Sequence, residues 1–251
     1  PRGAKFIYTI PNFQNPAGVT MTLERRKRLL ELAREYHIQV IEDDPYGRLR
    51  FEGEHIPPLK SMDPNVIYLG TTSKIFAPGL RLAWCVAPKP VIAKINLCEQ
   101  GASLCCSAFN QILAEQYFGR TDWKGTLEKS KAIYRSRRDA MISALEEFFP
   151  PEATWTHPQG GLFVYVTLPP YFDTEQMMSA ALENGVAYVP GSNCFPNGEG
   201  KSSMRLAFSY EPEEKIREGV RRLSEVIADR MELYRAFLKA GALPEASSEG
   251  M

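Results

Sequence analysis

The sequence predicts an α/β protein in which a layered sheet is followed by a smaller α+β region. Three observations support this. An amphipathic helical pattern over residues 22–37 runs directly into the short buried-strand pattern Gln39-Val40-Ile41-Glu42. Further apolar strands recur at 66–69 and 80–87, and beyond Pro150-Pro151 strands and helices alternate over shorter spans. With 251 residues and 44% hydrophobic content, the chain can bury the core of one large domain or two modest ones.

Taken in order, the chain opens Pro1-Arg2-Gly3-Ala4-Lys5 and runs at once into the strand Phe6-Ile7-Tyr8-Thr9-Ile10. With no initiator methionine, it reads as a chain whose N-terminal part lies outside this sequence. Over 22–37 the helical period places Leu29, Leu30, Leu32, Ala33 and Tyr36 on one face with Arg and Glu opposite, and Thr20 or Thr22 can cap the start. A long helical region is expected from about 90 to 118, a break at Gly119 to Gly125, and a second long helix over 126–148. Tyr134, Met141, Leu145 and Phe148 fall on the apolar side of that second helix. Then follow a strand at Leu162 to Leu168, a helix at Thr174 to Asn184, strands at Val186 to Val189 and Met204 to Ser209, and a closing helix from Pro212 to about Ala240. The small, polar stretch Gly241 to Met251 is expected to fray. The expected organisation is therefore a first domain over 1–125, a smaller one over 126–240, and a flexible tail over 241–251.

Thirty Lys plus Arg balance thirty Asp plus Glu, so no net field draws the chain toward nucleic acid or an anionic membrane. Small molecules or other protein subunits are the expected partners. The five cysteines form no C-x-x-C pair and no Cys/His cluster of zinc spacing, so no metal is expected. Free thiols fit an intracellular, cytoplasmic chain, and no run of eighteen apolar residues is long enough for a transmembrane helix. The histidines His37, His55 and His157 are scattered and make no constellation.

Four segments carry chemistry. Lys74 ends the run Thr71-Thr72-Ser73-Lys74, just past a strand and seven residues before Arg81. A lysine with a lowered pKa can serve as a covalent anchor, and hydroxyls with one arginine make a cradle for a phosphate dianion. The alternative is a lysine in a Ser/Thr-rich turn. In Glu42-Asp43-Asp44-Pro45-Tyr46-Gly47, Asp43 can hold a proton on a heterocyclic nitrogen and Tyr46 can hydrogen-bond a phenolic oxygen on the same ring; the alternative is an acid-rich turn. Pro11-Asn12-Phe13-Gln14-Asn15-Pro16-Ala17-Gly18 is a turn whose role depends on its company. Arg205, in the apolar strand Ser203-Met204-Arg205-Leu206-Ala207-Phe208, needs an anionic partner, which is either a substrate carboxylate or a structural acid.

Together Asn15, Asp43 with Tyr46, Thr71 with Ser73 and Lys74, Arg81, and Arg205 keep the order and approximate spacing seen in the class I and II aminotransferases, the fold type I enzymes dependent on pyridoxal 5'-phosphate (PLP). The resemblance runs roughly from Phe6 to Ile227. Within that family the segments Tyr8 to Gly18, Ile41 to Gly47 and Ser73 to Arg81 resemble most the 2-aminoadipate, kynurenine and aromatic aminotransferase group. The resemblance implies an incomplete three-layer large domain and a smaller C-terminal α+β domain. It implies that Lys74 forms the internal aldimine with PLP and then acts as the base between Cα and C4'. Asp43 would pair with the pyridine nitrogen, Asn15 and Tyr46 would bond the phenolic oxygen, and Thr71, Ser73 and Arg81 would hold the phosphate. Arg205, with Asn15, would take the α-carboxylate of an amino acid or 2-oxo acid, 2-oxoglutarate among them, in a ping-pong exchange. A homodimer is implied as well. Thr71 departs from the serine or glycine usual at that position but keeps a hydroxyl. Gln159-Gly160-Gly161-Leu162-Phe163 and Val189 to Phe195 resemble segments that close over substrate, and by themselves read as Gly-permitted turns. Two other functions share the same anchor: the PLP-binding effector domain of a GntR/MocR-type transcription regulator, and a PLP-dependent lyase.

Overall fold

The computed structural model describes residues 3–240, so the expected tail at 241–251 lies outside the described residues. The chain divides into two compact units. The first runs to Ile133 and takes in Pro158–Gly161; the second comprises Tyr134–His157 and resumes at Leu162.

The first unit is built on a four-stranded sheet: β1 (Phe6–Thr9), β2 (Gln39–Asp43), β3 (Ile67–Thr71) and β4 (Ala83–Val86), neighbours in that order. β1, β2 and β3 are parallel and β4 runs against β3. The register pairs Tyr8 with Ile41, Asp43 with Leu69, and Thr71 with Ala83. Strand alternation therefore puts Tyr8, Ile41, Asp43, Leu69 and Thr71 on one face, and Val40, Glu42, Tyr68, Gly70 and Trp84 on the other. Helix α1 (Leu23–Glu35) starts at Thr22, whose hydroxyl accepts from the Arg25 N–H, and packs Leu30 and Ala33 with Val40, Val66 and Leu59 into a local core. The short α2 (Leu59–Met62) receives at its N-terminus the fully buried carboxylate of Glu42, which accepts from the N–H groups of Leu59 and Lys60 at 2.9 and 2.8 Å.

Two expectations for this unit change. Tyr36, expected on the core face of α1, is 59% exposed, because α1 ends at Glu35 and Tyr36 is its C-cap ahead of His37 at φ 52°. The region expected as one helix from 90 to 118 is two, α3 (Lys89–Ala102) and α4 (Ala108–Arg120). The chain breaks at Leu104, which holds φ 67°, and the Ser107 hydroxyl caps α4 by accepting from the Asn110 N–H. Helix α5 (Trp123–Phe148) begins before the expected 126 and contributes to both units. Its C-terminal half buries Met141, Ala144 and Leu145.

In the second unit β5 (Thr154–Trp155), β6 (Phe163–Thr167), β8 (Ser203–Ala207) and β7 (Val189–Pro190) form an antiparallel sheet in the order β5-β6-β8-β7. Val164, Val166, Met204 and Leu206 form its buried face. The long helix α7 (Glu213–Lys239) buries Ile216, Val220, Leu223 and Ile227, one stripe at helical spacing. The strand expected over Val186 to Val189 shrinks to Val189–Pro190. Gly185, at φ 73°, and Val186 instead donate their N–H groups to Leu182 O and Ala181 O, closing the end of α6 (Thr174–Glu183). All five cysteines are free thiols. Among the described residues no helix is long and apolar enough to cross a membrane.

Candidate active site

Because β1, β2 and β3 are parallel, the loops that follow them leave the sheet at one end. β4 runs the other way, so the residues just before it stand at that same end. This topology brings three of the four sequence-predicted segments to one end: Asn15 after β1, Asp43 and Tyr46 at and after β2, and Thr71, Ser73, Lys74 and Arg81 along the passage from β3 to β4.

The Lys74 loop is tied to the entrance of β4 through one carbonyl. Leu82 O accepts from the Thr71 hydroxyl at 3.0 Å, the Thr72 hydroxyl at 3.2 Å and the Thr72 N–H at 3.1 Å. Thr71 Oγ1 also lies 2.9 Å from the Ser73 hydroxyl and accepts from the Ser73 N–H at 3.1 Å. These bonds hold Thr71, Ser73 and Lys74 in one tight turn beside Arg81. Lys74 itself is solvent-exposed. Arg81 adopts a left-handed backbone conformation (φ 53°), and its guanidinium donates to Pro78 O at 3.2 Å.

The Asp43 loop is fixed by its neighbours. Tyr46 is buried. The Asp44 carboxylate accepts from Asn12 Nδ2 at 2.8 Å, the Gly47 N–H at 3.0 Å and the Tyr68 hydroxyl at 3.1 Å. Gly47 has no room for a side chain, since a Cβ there would stand 2.5 Å from Asp44 Oδ1. Asn12 Oδ1 in turn accepts from Arg26 Nη2 at 2.6 Å, and the fully buried Arg26 also donates to Met21 O, Pro57 O and Pro11 O. Burial pulls the Arg26 guanidinium below its ordinary pKa, with Glu42 and Asp44 opposing. One polar chain, Arg26–Asn12–Asp44–Tyr68, thus joins the loop bearing Asn15 to the loop bearing Asp43 and Tyr46. The Asp43 carboxylate accepts a hydrogen bond from the Tyr8 hydroxyl of β1. Burial first, and that bond second, push the Tyr8 phenol well above its ordinary pKa, so it stays a donor.

Arg205 belongs to the second unit. It pairs with Tyr165 and Val189 across β8, on the face opposite the buried one, and its guanidinium lies 4.2 Å from the centre of the Phe163 ring. Gln159 to Gly161 belong to the first unit, where Phe51 and Glu52 donate their N–H groups to Gln159 O and Gly161 N donates to Leu49 O. A cleft of about 940 Å³ is lined by Tyr68, Thr71, Trp84, Glu99, Phe118 and Trp123. Of the predicted groups Thr71 lines it, beside Asp44 and Thr72, whereas Asn15, Asp43, Lys74 and Arg81 do not.

Sequence reasoning did not find Tyr8, Asn12, Asp44 and Arg26. Asn12 and Asp44 sat inside quoted motifs without a role, and Arg26 stands in the run Glu24-Arg25-Arg26-Lys27-Arg28, where one buried cation looks like its exposed neighbours. For Tyr8 the available signal was its place two residues from the end of a strand beside that of Asp43.

Residues 2–223 match the family aminotransferase class I and II. The chain belongs to that family. It is 50% identical over 229 residues to aromatic-amino-acid aminotransferase 1 of Thermococcus litoralis, covering 90% of this chain and 55% of the relative. The kynurenine aminotransferase of Pyrococcus horikoshii, solved in complex with PMP, superposes with a TM-score of 0.88 at 46% identity, over 90% of this chain and 56% of that one. The HTH-type transcriptional regulator YisV of Bacillus subtilis is 33% identical over 225 residues, 89% of this chain and 46% of the regulator. The chain thus spans about half the length of the curated relatives it matches. Its fold is that part of the fold type I aminotransferase architecture which the four-stranded mixed sheet and the antiparallel sheet represent. The sheet end offers a carboxylate at the end of β2, and a primary amine, two hydroxyls and a guanidinium along the passage from the end of β3 to β4. That donor set fits a phosphorylated, cationic heterocycle bearing an aldehyde.

Proposed function

We propose that the protein carrying this chain is a PLP-dependent aminotransferase of broad or aromatic substrate range, with Lys74 as the covalent anchor. The observation that carries the reading is the convergence of Lys74, Asp43 and Arg81 at one end of the mixed sheet, in a chain of this family. PLP supplies an aldehyde that takes up amines and a cationic ring that accepts electron density from the substrate Cα.

The chain's own residues do the rest. Asp43 keeps a proton on the ring nitrogen, because a carboxylate beside it favours the cation. Tyr46 and Asn15 would hydrogen-bond the phenolic oxygen of that ring. The hydroxyls of Thr71 and Ser73 and the Arg81 guanidinium hold the phosphate, and the Leu82 carbonyl fixes the turn that presents them. With PLP bound, the Lys74 amine would serve as the base that moves the proton between the substrate Cα and C4'. Arg205 takes the α-carboxylate by a bidentate contact. The two units serve as the C-terminal part of a large cofactor domain and as a small domain. A cytoplasmic homodimer using 2-oxoglutarate as acceptor completes the proposal.

The likeness to YisV favours one second reading, a cofactor-binding effector domain that senses rather than turns over. A half-reaction separates the two. Mixed with phenylalanine, kynurenine or 2-aminoadipate, the purified PLP form of an aminotransferase passes to the pyridoxamine form and releases one equivalent of 2-oxo acid. A sensor binds without release, and absence of 2-oxo acid with all three donors would refute the enzyme reading.

A further inference from the structure

We infer that Tyr8 is a positioning residue for Asp43: its hydroxyl holds one carboxylate oxygen, Oδ2, so that the other, Oδ1, is presented to the cofactor's ring nitrogen. This rests on the function proposed above and deepens it.

The geometry carries the argument. Tyr8 stands on β1, two residues out of phase with the end of β2, and the parallel register places it on the same sheet face as Asp43. Its hydroxyl reaches across the strand pair to Asp43 Oδ2. A strand-terminal carboxylate keeps a broad rotation about its Cβ–Cγ bond. One donor on Oδ2 removes that freedom and leaves a single oxygen to face the ring. A phenol also cannot accept a proton at neutral pH, so it reinforces Asp43 as an acceptor without competing for the proton that the ring must keep. Asp44 supports the same loop from the other side through Asn12, Gly47 and Tyr68, but its carboxylate points into that network, and Tyr8 is the side chain bonded to Asp43 itself.

The test is Tyr8→Phe in the holoenzyme, which removes one oxygen and keeps the ring. With PLP carrying a ¹⁵N ring nitrogen, the nitrogen resonance in the parent reports a protonated, strongly bonded ring. In Tyr8→Phe it moves toward the neutral-ring position, PLP dissociates roughly tenfold faster, and kcat falls by roughly the same factor while KM for the amino acid stays within twofold, as loss of one charge-assisted hydrogen bond predicts. An unchanged ¹⁵N shift with unchanged PLP retention overturns the inference. A thermal melt matching the parent separates lost positioning from lost folding, and Asp43→Asn supplies the neutral-ring reference shift. Should the parent itself show no protonated ring nitrogen, the proposed cofactor role fails; should the parent show it and Tyr8→Phe keep it, only the role of Tyr8 fails.

Discussion

Replacing Arg26 with methionine should cost the protein about 3–5 kcal/mol. Arg26 is wholly buried, and its guanidinium donates to four acceptors: Met21 O at 3.0 Å, Pro57 O at 3.0 Å, Pro11 O at 3.2 Å and Asn12 Oδ1 at 2.6 Å. Hydrogen bonds from a charged donor contribute about 1.5–3 kcal/mol each, so the gross loss is roughly 6–12 kcal/mol. Against this, methionine fills a similar volume and removes the several kcal/mol spent on burying the guanidinium. The balance leaves the Met21 and Pro57 carbonyls and an amide oxygen without this donor, while Pro11 O keeps the Met21 N–H, hence a net loss of several kcal/mol. At about 2–4 °C per kcal/mol for a chain of this size, the melting temperature should fall by roughly 10 °C. Arg26→Lys, a compact ammonium that cannot span all four acceptors, should recover only part of the loss. Differential scanning calorimetry of the three proteins measures this directly. A melting temperature for Arg26→Met within about 2 °C of the parent would show that the buried network contributes little, and would refute the reasoning.

Two further outcomes follow from other sites. Gly160→Ala should destabilise by about 1–3 kcal/mol, because its Cβ would stand 2.3 Å from Cζ of the buried Phe13 ring and 2.6 Å from the Leu49 carbonyl oxygen; urea titrations that coincide with the parent would contradict this. The Tyr188 phenol, buried and donating to Thr174 O at 2.7 Å, is pushed up to about 12 chiefly by burial. Because the folded pKa is raised, the stability linked to this neutral phenol is fully present below the unfolded value of about 10 and is lost as pH rises through about 12. A difference phenolate titration between parent and Tyr188→Phe should therefore show one group ionising near pH 12, whereas a group ionising near pH 10 would be incompatible with a buried donor.

Much of this architecture was readable from periodicity. The stripe of α7 and the apolar strands expected at 39–42, 66–69 and 162–168 are patterns that packing alone imposes, and the strands stand at 39–43, 67–71 and 163–167. The parallel order of β1, β2 and β3 explains why motifs scattered over 67 residues, from Asn15 to Arg81, meet at one sheet end. What stayed hidden lacks a local signal. Arg26 looks like any base in a basic run, since burial of one guanidinium depends on the Pro11 and Pro57 carbonyls, contributed by distant loops. The break between α3 and α4 carries no glycine or proline, and a leucine at φ 67° turns the chain there. Glu42, read as one of several acids in a turn, proved to be the buried cap of α2, a role that only the fold of residues 57–62 reveals.

In the proposed function Lys74 is the residue to which the cofactor is bound. Reduction of the holoprotein with borohydride, followed by proteolysis and mass spectrometry, fixes that linkage on whichever lysine carries it. A single phosphopyridoxyl modification is expected on the peptide containing Thr71-Thr72-Ser73-Lys74, absent from Lys74→Ala. Modification of another lysine, or persistence of the label in Lys74→Ala, would contradict it.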